Sequence, residues 1–338
     1  MHYTSPFTPS TSKPGHGSII LSLLPPNTPV LSTVSYQYPL KLVAPDPLPP
    51  LTHSSTDPNA PSLIHTVFLL TYGGGIVAGD AINLDVRIVG GTRLVLLTQG
   101  STKIFRTEDR AVVSRQHMSV RLEKGGALCY LPDPVQPFAE TAFSQSQIYN
   151  LHHSEGSLCV ADWVTSGRSA RGENWDIFEY GSRNEVWSVD EPGQGKEKRR
   201  LLLRDNLILD QRGQTNMPLS SRMDTYSVFG TLIIRGPVFT SLSSFFLAEF
   251  DALPRIGARN WGDSSAPQPS LPEKRRVERQ AQEKSDGLIW SAANVRGFVL
   301  VKFASREVQG ARNWLRDMIR EEGSILREFG EQAVLCLK

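Results

Sequence analysis

An uninterrupted period of two begins immediately after the densest glycine cluster of this chain. In AINLDVRIV (81–89) the residues Ile82, Leu84, Val86 and Ile88 are apolar, while Asn83, Asp85 and Arg87 are polar. This is the alternation of a strand with one buried face. It decides what the preceding TYGGGIVAGD (71–80) can be. Gly73, Gly75 and Ala78 fit G-x-G-x-x-A behind a strand-like TVFLLTY, the fingerprint of a dinucleotide site. Such a site requires a helix next, with N-terminal amides that receive the pyrophosphate. Wound as a helix, residues 81–89 would scatter their apolar side chains around every face. The dinucleotide reading therefore fails. A phosphate-binding G-x-x-x-x-G-K-S/T loop does not occur either, because GSTK (100–103) has its residues in another arrangement.

Short strand patterns continue along the chain: RLVLLT (93–98), HMSVRLE (117–123), ALCYL (127–131), SLCVADWV (157–164), NWDIFEY (174–180), LLLRDNLIL (201–209), VFGTLIIR (228–235) and FVLVKF (298–303). Gly, Pro or Asp bounds most of them, and no fixed period repeats. Two segments have a helical stripe instead: Leu242, Phe245, Phe246, Phe250 and Leu253 in the first, and Ala311, Trp314, Leu315, Met318 and Ile319 in the second. The expected fold is mainly β, with two accessory α-helices packed on a sheet.

The charge balance is 36 basic against 34 acidic residues, so no strong field draws the chain to nucleic acid or anionic lipid. Cys129, Cys159 and Cys336 lack C-x-x-C spacing and are too few for a disulfide framework, which fits a reducing compartment. The first residues carry no apolar signal segment, and the most apolar run (67–79) is too short and glycine-rich to span a bilayer. A cytoplasmic protein without a membrane partner is expected. Residues 1–14 read as a disordered tail ahead of a single domain over 15–338, with polar insertions near 46–62, 190–200 and 262–286.

Catalytic motifs are sparse: there is no G-x-S-x-G, no H-E-x-x-H and no suggestive Cys and His pair. His152 and His153 would point to opposite faces of an extended chain, so one metal site could hardly use both. KIFR (103–106) and GRSARGE (167–173) concentrate cationic groups at turns. Asp80 and Glu173 each directly follow a glycine. Asp80 could accept backbone N–H groups in an Asx-turn, or such a carboxylate could line a narrow polar passage for a cation.

The order of these motifs is itself informative: GGGIVAGD, LLTQGSTKIFR, LCYLPDPVQPF, GRSARGE, then FGTLIIRGP. It resembles the urease accessory proteins of the UreD family, also called UreH, from about Gly17 through YPLKLVAP (38–45) to the C-terminal helix. The resemblance implies a large, layered, β-rich body that is a maturation chaperone and not an enzyme. It implies the partners UreF, the GTPase UreG and apo-urease, in a hetero-oligomeric complex that delivers nickel to the urease active site. Nickel would travel through an internal passage, with no tightly bound cofactor, and the resemblance places Asp80 and Glu173 on that route. Hard oxygen ligands suit transit, whereas thiolates would trap the ion. Cys129 departs from the Glu common in bacterial members. The rival readings are a β-rich hydrolase using a carboxylate pair and a scaffold that metal never enters.

Overall fold

Ala81–Ile88 is a strand, and Ile82, Leu84, Val86 and Ile88 are buried as its alternation requires. The computed structural model describes residues 13–50, 63–152, 155–189, 199–211, 217–254 and 271–338. One sheet has seven strands in the order β15 (Arg199–Asp210), β14 (Glu179–Val189), β12 (Ala142–His152), β9 (Ser114–Leu122), β6 (Ala81–Ile88), β1 (His16–Leu24), β2 (Thr28–Tyr36). The second sheet follows the path β17 (Ile289–Val295), β18 (Phe298–Ser305), β16 (Val228–Arg235), β13 (Ser157–Thr165), β10 (Ala127–Tyr130), β7 (Arg93–Leu97), β4 (His65–Thr71), β3 (Leu40–Val43). Off that path, β5 (Gly75–Ile76), β8 (Thr102–Ile104) and β11 (Val135–Pro137) form a short ribbon.

From β6 to β14 the long strands belong alternately to the two sheets. Neighbours within each sheet are therefore parallel: β6 with β9, β9 with β12, and β12 with β14, as are β7 with β10 and β10 with β13. Parallel neighbours need a long crossover, usually a helix. Here the crossover is a strand of the facing sheet, so the body winds as a coil of unequal turns.

The second sheet lies in the middle and is covered on both faces, which explains its continuous apolar runs. Leu94 and Leu96 of β7 face the core shared with the first sheet, while Val95 and Leu97 face the opposite core. That second core is closed by α2 (Thr240–Asp251), α4 (Val308–Glu322) and α5 (Ser324–Phe329). A four-residue turn of helix, α1 (Leu219–Arg222), precedes β16. Phe246 of α2 and Trp314, Leu315 and Met318 of α4 are buried in that core, as their stripes predict.

Two details correct the sequence reading. Only the last two residues of NWDIFEY (174–180) are strand: β14 begins at Glu179, and Trp175 has a positive φ of 61°. The segment near 262–286 contains a third long helix, α3 (Leu271–Ser285). Its inward positions are Arg276, Arg279, Gln280 and Glu283, a helical stripe without apolar residues. Residues 1–12 of the expected tail, 51–62 and 190–198 of the first two insertions, and 255–270 lie outside the described residues. Among the described residues no helix is long and apolar enough to cross a membrane.

Candidate functional site

The short ribbon gathers the sequence motifs into one place. β5 pairs with β8, β8 with β11, and β11 with the end of β13, so GGGI, TKI, VQP and the strand leading to GRSARGE lie side by side. Gly73 and Gly74 take positive φ values of 78° and 73°, which only glycine adopts at no cost. Gly75 serves a different purpose. A Cβ there would lie 2.7 Å from the carbonyl oxygen of Lys103 and 2.7 Å from the Phe105 ring. The cluster is a tight turn followed by a close backbone approach, and its outcome is the placement of Asp80.

Side chains interlock the same motifs. Phe105 meets Phe138 edge-on at 5.3 Å, and the Arg168 guanidinium lies 3.8 Å from the centroid of the Phe138 ring, a cation–π contact. Glu173 holds that guanidinium: Arg168 Nε donates to Glu173 Oε1 at 2.9 Å, and the Arg168 backbone N–H donates to Oε2 at 2.9 Å. Burial by itself would raise the Glu173 carboxyl; the hydrogen bonds and charge of Arg168, with the Ala139 backbone N–H, outweigh it and hold the pKa below its ordinary value. Asp133 of LPDP has a comparable tying role. It accepts from the Gly100 N–H at 3.0 Å and from Arg312 Nη2 of α4 at 2.9 Å.

Asp80 ends a turn closed by the backbone. Its N–H donates to the Val77 carbonyl at 3.0 Å, and its own carbonyl accepts from the Arg115 N–H at 2.8 Å. The residue as a whole is partly buried. Glu173 lines a cleft of about 660 Å³ together with Ser166, Asn174, Ser227, Arg306 and Gln309. Lys103 and Arg106 are exposed. Among the described residues no three His, Cys, Asp or Glu side chains are grouped to hold a metal ion; Asp80 and Glu173 sit on separate turns. His152 is buried at the end of β12, and His153 lies outside the described residues.

A further group of polar residues was not singled out in the sequence. Asp162 of β13 points between the sheets, where its carboxylate accepts from Gln145 Nε2 at 3.0 Å, Ser182 Oγ at 2.5 Å and Asn184 Nδ2 at 2.6 Å. Burial pushes its pKa above the ordinary value, against those three hydrogen bonds, and the nearby charge of Asp205 adds to the rise. Asp205 carries the polar layer outward: its Oδ2 accepts from Thr231 Oγ1 at 3.2 Å and its Oδ1 from Lys302 Nζ at 2.6 Å. Lys302 is half exposed. The available signal was the lone carboxylate in SLCVADWV, a charge in an otherwise apolar run. Cys129, in contrast, is wholly buried and in register with Cys159 in the helix-side core.

The sequence profile described as UreD urease accessory protein matches residues 16–335. "Urease accessory protein 4" of Cryptococcus neoformans var. grubii is 31% identical over 326 residues, which cover 87% of this chain and 86% of that protein. "Urease accessory protein UreD" of Sorangium cellulosum is 31% identical over 305 residues, 90% of this chain and 79% of that protein. "Urease accessory protein D" of Arabidopsis thaliana is 33% identical over 200 residues, 59% of this chain and 61% of that protein. These relatives are named as accessory proteins and not as enzymes. The chain belongs to the UreD family of urease accessory proteins, and its role is in urease maturation without catalysis of its own.

Proposed function

We propose that this protein, with UreF and the GTPase UreG, scaffolds apo-urease in a cytoplasmic hetero-oligomeric complex and helps deliver nickel to the urease active site through an internal passage. The observation that supports the passage is the polar layer between the sheets, from partly buried Asp162 through Asp205 to Lys302 at the surface. A carboxylate set among apolar strands is costly to bury, and in this reading a cation in transit offsets that cost. Oxygen ligands met one after another bind nickel weakly enough to release it. Asp80 and Glu173 belong to the same route, at the motif-bearing end of the body. The ion is cargo, and no cofactor stays bound. Family membership sets aside the β-rich hydrolase with a carboxylate pair.

The test reconstitutes activation with purified apo-urease, UreF, UreG, GTP and nickel, using D162A, D80A and E173A in turn. Co-purification of the complex is followed in parallel. The expected outcome is reduced urease activation with assembly intact. Full activation by all three variants would sink the passage, and lost assembly would assign the residues to folding or to a partner surface.

A further inference from the structure

Helix α3 is held to the body by charge. Its one buried residue is Glu283. Arg276 forms a two-pronged pair with Glu249 of α2, at 2.8 and 2.7 Å. Arg279 binds the same carboxylate, donates to Glu321 of α4 at 2.7 Å, and lies 3.5 Å from Glu283 one turn along its own helix. Trp314 Nε1 donates to Glu283 Oε1 at 2.9 Å. Beneath these pairs Trp290 and Trp314 pack with ring centroids 5.4 Å apart, and a cavity of about 470 Å³ opens between α3 and α4.

The contrast with the other helices indicates separability. α2 and α4 bury Leu242, Phe246, Trp314 and Leu315, and removing those from water stabilises their docking directly. α3 removes charged groups from water, and the desolvation cost of a buried pair offsets most of its attraction. A helix seated in this way adds little net stability. The seat it leaves is distinctive: two carboxylates, Glu249 and Glu321, above an indole floor. Carboxylates there match the guanidinium fork.

We infer that this acidic and aromatic seat is an interaction surface for a partner helix carrying two arginines three residues apart, and that α3 is its built-in, displaceable occupant. The spacing is that of Arg276 and Arg279, successive on one helix face. α3 swings out from its C-terminal end, where Gly287, with a positive φ of 59°, joins it through Leu288 to β17. The surface is independent of the nickel route, so the two proposals fail separately.

The experiment uses the full chain. Amide hydrogen exchange is compared between wild type and R276Q/R279Q. Residues 271–285 should lose protection by at least about tenfold while β9 and β12 keep theirs. A labelled synthetic peptide of residues 271–285 is then added. It should bind the double variant at least about tenfold more tightly than wild type, whose seat is filled, and more weakly as salt rises. An alanine-based helical peptide with arginines three apart should bind likewise, and its glutamine counterpart should not. Loss of protection throughout α4 and β18 would show α3 to be integral to the core and overturn the inference. So would a folded double variant that ignores both arginine peptides. If the double variant does not fold, E321Q gives the same exchange readout: an intermediate loss confined to 271–285 is expected, and unchanged exchange overturns the inference.

Discussion

Asp162 of β13 accepts a hydrogen bond of 2.6 Å from Asn184 of β14, so a carboxylate joins the two sheets across their shared core. Three donors from the facing sheet converge on it.

The first prediction concerns the pH dependence of that carboxylate. Its pKa in the folded chain is above the ordinary 3.8, so the folded state binds the proton more tightly than the unfolded state. That contribution is fully present below the unfolded value and is lost as pH rises through the folded one. D162N cannot ionise and lacks this dependence. Urea unfolding of both proteins from acid to neutral pH should show wild type losing stability relative to D162N over that interval. Parallel curves would show that Asp162 does not titrate between the sheets.

Glu173 should behave in the opposite sense. Its folded pKa is below the ordinary 4.5, so its contribution is present above the unfolded value and lost as pH falls through the folded one. E173Q should cost about 1.5–3 kcal/mol at neutral pH, the range for hydrogen bonds to charged groups. Its cost should shrink in acid, where wild type loses the same bonds. Denaturant midpoints at neutral and acid pH measure both.

The glycines of the opening turn should separate by mechanism. G75A drives a methyl group into the Lys103 carbonyl and the Phe105 ring and should cost about 1–3 kcal/mol by overpacking. G73A has open space around its Cβ but must hold a positive φ, at a cost of about 1–2 kcal/mol. Only G75A should raise hydrogen exchange in the β5 and β8 pairing; equal exchange in the two variants would contradict the close-approach argument.

The cysteines should be inert in the native state. Cys129 and Cys159 are fully buried neighbours, and burial first, then the adjacent Cys129, push the Cys159 thiol well above its ordinary value. Burial, with Asp133 nearby, takes Cys336 up to about 12. Thiolate is the reactive form, so alkylation followed by mass spectrometry should label all three only on unfolding. Rapid native labelling of Cys129 would mean that this core opens.

How far the sequence could be read depended on whether local pattern and burial agreed. β6 was legible because Ile82, Leu84, Val86 and Ile88 form one apolar face. β12 and β14 went unread because their inward residues include Gln145 and Gln147, and Ser182 and Asn184. Those side chains are polar and yet buried because Asp162 or a neighbouring tyrosine pairs with them: Tyr149 donates to Gln147 at 2.7 Å. Helix α3 was missed for a related reason, since its inward stripe is charged and its partners Glu249 and Glu321 lie far away in sequence.

The sequence by itself determined the β class, the two apolar helices, the failure of the dinucleotide reading and the family, because each depends on the local order of side chains along a few residues. Only the tertiary structure decided that successive strands alternate between two sheets, that four separated motifs meet on one ribbon, and that Asp162 lies between the sheets among three donors. Those facts depend on which distant segments become neighbours, and that is set by the packing of two faces across the middle sheet.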